Sequence, residues 1–366
     1  MANIPGVSAD ATSLNSSYPQ YNYEARVALA AFWILFTIAG FTGSSLVIWS
    51  VVLSKKLRTV TNAFVVNLSV ADFWTSLSYP WLAVAGLSTT SWPLTSEIPC
   101  RIAAVQFDTG FGASLYILAA IAVNRMVMIT QPIDIYRWLY TPRKVAVMIA
   151  ATWILPWMVV GIPPLCQAGQ LGFDITTRSC SIIESDENSA SYKLTQTLGM
   201  YPIPMIIIIS SYTALYVNIR RHFKQQRRRH VITKTPTVEM DLSDYCKTDP
   251  SRQSLGPTIS SMSKSNIQAI KRQQLAITKN LFLICLTFTL LVSPYFLSLA
   301  APHSSGFTPF AAAIATINSC VSPIIYTCNH PDFKVIFPKM LKCRYSEIPE
   351  PSDFLKYFLS RRKPGN

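Results

Sequence analysis

The sequence predicts an all-α membrane protein, a bundle of seven transmembrane helices followed by a short amphipathic helix. Of its 366 residues, 50% are hydrophobic and only 14% are charged, whereas soluble domains carry roughly 25% charged residues. Mean hydropathy is +0.29. The chain also contains seven long apolar stretches, and the loops between them alternate in charge, as expected for a protein that crosses the membrane repeatedly.

Each apolar stretch is long enough to cross a bilayer, which requires about 20 residues of helix. A helix is expected because lipid cannot satisfy an open backbone. Pro163 and Pro164 end the fourth and shortest stretch. The predicted spans are Val27–Leu53, Ala63–Leu87, Cys100–Thr130, Val145–Leu165, Tyr192–Ile219, Leu275–Ala300 and Phe307–Cys328.

The loop charges predict the orientation, because cytoplasmic loops carry an excess of lysine and arginine. The first loop contains Lys55, Lys56 and Arg58, and the long fifth loop contains the run 227–229 of three arginines. We therefore expect an extracellular tail over residues 1–26, in which Asn15 is a glycosylation acceptor, and a cytoplasmic C-terminus.

Outside the spans of the membrane domain (27–330), three cytoplasmic segments are predicted. Residues 220–274 lack apolar periodicity and are expected to be disordered. Residues 331–343 have amphipathic spacing and should lie in the inner interface. Residues 344–366 form a cytoplasmic tail, preceded by Cys343, a candidate for palmitoylation. The net charge of +14 favours anionic membrane lipids as partners, and no nucleic-acid partner is expected.

Ionisable residues within spans are costly and are usually functional. Asp72 lies in the middle of the second span, where Ser114, Asn318 and Ser319 could converge on it. Such oxygen ligands suit a sodium ion or a proton, although a hydrogen-bonded knot that only packs helices is the other interpretation. Arg125, at the cytoplasmic end of the third span, could be functional or could simply reach the interface.

Two further patterns concern cysteine and proline. Cys100 and Cys180 both face the outer side, where a disulfide is plausible, but Cys166 is a rival partner for either. Prolines in several spans, including Pro294 and Pro323, create kink points, and a bundle with many kinks can hold two arrangements.

From about residue 27 to residue 343, the chain resembles the rhodopsin-like (class A) G-protein-coupled receptors. No single motif is specific, but all of them occur in order and at the family's spacing. The matching residues are the run 67–72 ending in Asp72, Cys100, the run 124–126, Trp153, Pro204, Tyr212, Phe288, Pro294 and the run 323–326 from Pro323 to Tyr326.

The resemblance implies a plasma-membrane receptor, not an enzyme, that passes the signal of an extracellular ligand to a heterotrimeric G protein and is regulated by arrestin. It implies an outer disulfide between Cys100 and Cys180. It also implies a sodium pocket and an activation switch. The pocket would comprise Asp72, Ser114, Asn318 and Ser319, and the switch Asn124, Arg125, Tyr212, Phe288, Pro294, Pro323 and Tyr326.

Some residues point to a smaller group within the family, and others depart from the family pattern. The pair Asn124-Arg125 and the outer-loop runs 172–174 and 179–181 are similar to the melatonin-receptor-like group and the insect moody receptors. Because residues 124 and 274 are not acids, we expect raised basal activity. Departures from the family pattern are Ser44, Asn124, Met126, Gln274, Val292 and Ser322.

The expected ligand pocket lies among neutral and aromatic side chains, which suit a lipid, an indole or a peptide side chain. Phe107 stands where amine receptors of the family carry an aspartate, so a cationic amine held there is disfavoured. Asp108 is next along the chain but should face about 100° away on the helix. The candidate pocket residues are Gln106, Phe107, Thr109, Gly110, Tyr295 and Phe296.

The sequence leaves three alternatives to a G-protein-coupled receptor. All four histidines lie in loops or at span ends, which disfavours an intramembrane hydrolase. A transporter or channel would need paired broken helices or a polar pore. The more serious alternative is an atypical seven-helix receptor that acts through arrestin, or scavenges ligand, without G-protein coupling.

Overall fold

The structure is a computed structural model that describes residues 22–88, 91–232, 257–301, 306–329 and 331–361. Side chains are described over the same ranges except 222–232, 257–275 and 326–331. The helices are α1 (Tyr23–Leu53), α2 (Val60–Ser76), α3 (Tyr79–Leu87), α4 (Ile98–Thr130), α5 (Ile133–Leu139), α6 (Pro142–Leu165), α7 (Ser189–Met200), α8 (Pro202–Ile232), α9 (Pro257–Ala300), α10 (Thr308–Thr316), α11 (Asn318–Asn329), α12 (Pro331–Leu341) and α13 (Asp353–Arg361). Two strands, β1 (Leu171–Asp174) and β2 (Ser179–Ile182), form a hairpin.

The predicted seven-helix, all-α architecture is confirmed. Within the described residues, six helical segments are long and apolar enough to cross a membrane. The remaining span, the second, consists of α2 and α3, and neither helix alone is long enough. The fifth and seventh spans are also made of two consecutive helices each, α7 with α8 and α10 with α11.

The breaks between the two helices of the second, fifth and seventh spans have local causes. Pro80 lies in the first turn of α3 and Pro202 opens α8, and a proline has no N–H to continue a preceding helix. In the seventh span no proline is at the break. There the Ile317 N–H donates to Ile314 O at 3.2 Å and the Cys320 N–H to Ile317 O at 3.1 Å. Such bonds to the third preceding residue are typical of a tightened 3₁₀ turn.

Helix α4 occupies the centre of the bundle and packs against α2, α6 and α8. Every residue from Gln106 to Ala119 is buried. Small residues allow the close approach. A Cβ on Gly110 would lie 1.9 Å from Oγ1 of Thr75, and a Cβ on Gly112 would lie 3.0 Å from Cβ of Pro156.

The β hairpin lies over the outer end of the bundle and contacts α4. Its turn is closed by Asp174, whose carboxylate accepts hydrogen bonds from Thr177 N at 2.8 Å and Thr177 Oγ1 at 2.7 Å. Glu184 N donates to the other carboxylate oxygen at 3.1 Å. Asp174 therefore fixes the loop that carries Cys180.

The segments predicted to be cytoplasmic contain more helix than the sequence indicated. The expectation of disorder over 220–274 is wrong at both ends, because α8 continues to Ile232 and α9 begins at Pro257; residues 233–256 lie outside the described part. Helix α12 forms as predicted and buries Phe333, Ile336 and Phe337. The tail adds α13, which the sequence analysis did not foresee.

Candidate functional site

The outer end of the bundle is closed by one disulfide. Cys100, in the first turn of α4, is bonded to Cys180 of β2, with their Cα atoms 5.1 Å apart. This confirms the pairing that the resemblance implied. Cys166 is an exposed free cysteine. The bond ties the hairpin to the central helix, above the cavity described next.

A small cavity of about 60 Å³ lies below the hairpin. Phe107 and Tyr295 line it, as expected, together with Trp33, Asp108 and Arg178. Phe107 is the centre of its aromatic wall, with ring centroids 5.4 Å from Tyr295 and 6.2 Å from Trp33. The cavity thus combines an aromatic wall with charged groups.

Four of the expected pocket residues do not line this cavity and pack between helices instead. Thr109 Oγ1 accepts a hydrogen bond from Trp74 Nε1 at 3.1 Å. Phe296 stacks on Tyr201 with ring centroids 5.3 Å apart. Gly110 lies against Thr75, and Gln106 is buried at 8% exposure.

Asp108 was wrongly expected to face away from the cavity. It lines the cavity at 5% exposure. Tyr295 Oη donates a hydrogen bond to its Oδ1 at 2.8 Å, and Gln196 Nε2 donates to its Oδ2 at 3.1 Å. The residue was missed because α4 is buried on all sides here, so a 100° turn from Phe107 leads to α7 and α9 rather than to lipid.

Arg26 lines the same cavity and holds the outer end of α1 beside it. Its guanidinium donates hydrogen bonds to the carbonyl oxygens of Gly86 at 2.9 Å, Ser88 at 3.0 Å and Leu87. These three carbonyls are at the C-terminus of α3, where a helix leaves acceptors without intrahelical partners. Burial and the nearby Arg26 charge lower the pKa of Arg178 on the hairpin turn.

An aromatic path leads from the cavity into the bundle. The ring of Phe107 is 4.8 Å from that of Phe111, which in turn is 6.4 Å from that of Phe288. The main-chain oxygen of Phe288 accepts a hydrogen bond from Asn318 Nδ2 at 3.4 Å. The predicted core residue Phe288 therefore connects the cavity to the polar centre of the bundle.

The polar centre surrounds Asp72, which is 3% exposed. The hydroxyls of Ser114 and Ser322 lie beside its carboxyl group. Ser319 is committed elsewhere, because its hydroxyl pairs with Tyr79 Oη at 2.6 Å. In the sequence, Ser322 is recognisable only as a departure from the family pattern, so its place beside Asp72 was missed.

Several oxygens of this centre lack a hydrogen-bond partner within the described part of the chain. They are Oδ2 of Asp72, Oδ1 of Asn318 and the hydroxyl of Ser322. Buried polar atoms are normally satisfied by protein, water or an ion. Carboxylate, hydroxyl and amide oxygens are the hard ligands that suit a small cation, so the residues present fit the expected sodium ion.

At the inner end of α4, Asn124 and Arg125 are buried. Asn124 Oδ1 accepts from Thr61 Oγ1 at 3.0 Å, and its Nδ2 donates to Tyr136 Oη at 3.3 Å. Arg125 is only 2% exposed, which is inconsistent with a side chain that reaches the interface, and its Nη1 lies 3.5 Å from Met128 Sδ. Asn124 therefore joins the inner end of α4 to α2 and α5.

The other predicted switch residues lie on α8, α9 and α11. Tyr212 Oη is 3.6 Å from Cys285 Sγ, which joins α8 to α9. Pro294 lies inside α9 and Pro323 inside α11. The side chains of Tyr326 and Gln274 lie outside the described set, as does Asn15. Cys343 is exposed just after α12.

Comparisons with known proteins show which family and which proteins this chain is similar to. The family model described as 7 transmembrane receptor (rhodopsin family) matches residues 43–326. The octopamine receptor beta-1R of Drosophila melanogaster is 30% identical over 88% of this chain and 63% of its own length. The moody receptor of Drosophila pseudoobscura pseudoobscura is 26% identical over 88% of this chain, and the chain spans about half (54%) of that relative.

Two further matches agree with these. The probable G-protein coupled receptor No18 of Amphibalanus amphitrite is 28% identical over 93% of this chain and 95% of its own. The crystal structure of squid rhodopsin superposes with a TM-score of 0.69 over 95% of this chain and 94% of that one, at 18% identity; this likeness concerns the fold alone. The match over 43–326 shows that the chain belongs to the rhodopsin family of seven-transmembrane receptors.

Proposed function

We propose that the chain is a plasma-membrane receptor that binds an extracellular ligand in its outer cavity and activates a heterotrimeric G protein at its inner face. The observation that carries the proposal is the buried path from the cavity through Phe107 and Phe111 to Phe288, and from there to Asn318. A ligand that moves Phe107 would repack Phe288, which lies on α9. Packed cores change between discrete arrangements, so a small shift can move a helix.

The N-terminus lies outside the cell in this proposal. The α1 residue Arg26 bonds to the same end of the bundle that carries the Cys100–Cys180 disulfide. Disulfides form and persist in oxidising compartments. Phosphorylated loop serines would bind arrestin, Asn15 would carry a glycan and Cys343 a palmitoyl group.

The ligand class follows from the cavity wall. An aromatic or other flat apolar group would contact Phe107 and Trp33. A hydrogen-bond donor or cation on the ligand would compete with Tyr295 or Gln196 for Asp108. Phe107 replaces the usual aspartate of amine receptors, but the carboxylate of Asp108 lies in the same cavity. Because one relative is an octopamine receptor, octopamine is the first compound to test.

The experiment expresses the full chain in cells that report activation of a panel of G proteins, and screens aromatic amines, indoles and lipids. Asp108→Asn should lower ligand potency at least about tenfold, because a hydrogen bond to a charged group contributes roughly 1.5–3 kcal/mol. Thr109→Ser, which alters a neighbour outside the cavity, is the matched control and should leave potency unchanged. Recruitment of arrestin without activation of any G protein would refute coupling and support the alternative receptor type.

A further inference from the structure

The C-terminal tail is held against the inner end of α1 by main-chain bonds. Ser352 N donates to Leu53 O at 2.9 Å, and Lys55 N donates to Glu350 O at 2.8 Å. Lys55 Nζ also pairs with Asp353 at 2.7 Å. Because α1 spans the membrane, its inner end marks the boundary of the inner leaflet, and α13 starts at that boundary.

Helix α13 has three distinct faces. Leu355 points into the protein at 1% exposure, and Lys356 is on a polar face. On the third face, Phe354, Tyr357 and Phe358 form a single stripe at helical spacing, with exposures of 55%, 57% and 49%. We call these three residues the aromatic stripe.

The aromatic stripe borders a groove of about 980 Å³ between α13 and α1. On the α1 side the groove is lined by Leu46 and Trp49, and Cys343 lines it between the two helices. Trp49 is 51% exposed on the outward face of a membrane span, a face that contacts lipid. The groove is therefore continuous with the lipid-facing surface of the bundle. Tryptophan and tyrosine are enriched at this depth of membrane proteins.

Basic residues lie in the segments that line the groove, and one of them, Arg361, lines it directly. Lys342, Lys356 and Arg361 are exposed, and the Arg361 guanidinium lies 4.9 Å above the Tyr357 ring. The cytoplasmic leaflet carries a negative surface potential that attracts such clusters. The apolar stripe and the exposed basic residues beside it together match an interfacial helix rather than a soluble tail.

We propose that α13 is a second interfacial helix, with its aromatic stripe in the inner leaflet and the acyl chain of a phospholipid in the groove beside Trp49. The inference depends on the membrane location of α1 and is independent of the ligand and of the G protein.

The test uses the full chain in nanodiscs of phosphatidylcholine and phosphatidylserine. The photoreactive amino acid p-benzoylphenylalanine is introduced as Phe358→benzoylphenylalanine, at an exposed position where folding is not at risk. Ser360→benzoylphenylalanine, on the polar face of the same helix, is the matched control. After irradiation, mass spectrometry measures the fraction of the C-terminal peptide that carries a phospholipid adduct.

The adduct fraction should be at least several-fold higher at position 358 than at position 360. Equal fractions at the two positions would overturn the proposal. So would cross-links from position 358 to a second copy of the chain, which would make the stripe a dimer contact. An adduct to an acylated Cys343 peptide in place of a phospholipid would also overturn it, because the occupant would then be the chain's own modification.

Discussion

The substitution Tyr295→Phe tests the hydrogen bond that holds Asp108 in the outer cavity. The change removes only the hydroxyl that donates to Asp108 Oδ1 at 2.8 Å. The matched control is Tyr201→Phe, which removes a hydroxyl that pairs with the neutral Ser293 hydroxyl at 2.6 Å. Both tyrosines contact Phe296 through their rings, which stay in place.

The two substitutions should differ because only one hydrogen bond involves a carboxylate. A bond to a charged group contributes roughly 1.5–3 kcal/mol, and one between neutral groups about 0.5–1.5 kcal/mol. Loss of the Tyr295 hydroxyl also leaves a buried carboxylate with Gln196 as its remaining hydrogen-bond partner among the described residues. We expect Tyr295→Phe to lower the free energy of unfolding by about 1 kcal/mol more than Tyr201→Phe.

The assay is unfolding in mixed detergent micelles at pH 8, followed by circular dichroism as the denaturing detergent is increased. The two phenylalanine variants are then repeated in an Asp108→Asn background. In that background, Tyr295→Phe should lower the free energy of unfolding by little more than Tyr201→Phe does. The difference between the two backgrounds measures the interaction energy between Tyr295 and Asp108. An equal cost for both tyrosines, or an unchanged excess in the Asp108→Asn background, would refute the charge-assisted bond.

Three further predictions concern the helix packing, the inner network and the polar centre. In the same unfolding assay, Gly110→Ala should destabilise the bundle by about 1–3 kcal/mol, because the added Cβ overpacks the contact with Thr75. Combining it with Thr75→Ala should restore part of the lost stability. A single variant as stable as the unmodified chain would contradict the close approach at 1.9 Å. Asn124→Asp, which keeps the residue's size and its acceptor, should lower basal G-protein activation in transfected cells, and basal activity that stays level would count against the role assigned to position 124. Sodium chloride should raise the melting temperature of the purified chain more than choline chloride does, and Asp72→Asn should remove this difference; a sodium effect that persists in the variant would place the ion elsewhere.

The sequence predicted the bundle well because the length of each span is dictated by the thickness of the bilayer. The same reasoning failed where packing between helices decides the outcome. Asp108 was assigned to the wrong direction because a helical-wheel argument assumes one buried face, and α4 is buried all round between Gln106 and Ala119. Ser322 was noted as unusual, but its place beside Asp72 follows from the packing of α11 against α2, which no residue pattern indicates.

The tail shows a second limit of sequence reasoning. The spacing of Phe333 and Ile336 made α12 predictable, because a helix with one apolar face is a local pattern. Helix α13 has the same kind of pattern, yet its position depends on bonds between residues 349–353 and 53–55, which are far apart in the chain. Pairing between such distant segments is determined by the folded bundle and cannot be inferred from either segment alone.

That pairing has a consequence for biosynthesis. Ser54 Oγ donates to Pro349 O across 295 positions of sequence, and Ser54 forms a β-bridge with Pro351. Residues 53–55 at the inner end of α1 therefore gain these partners only after residue 353 has been synthesised. A product that stops before residue 349 would leave the Leu53 carbonyl and the Lys55 amide without these hydrogen bonds.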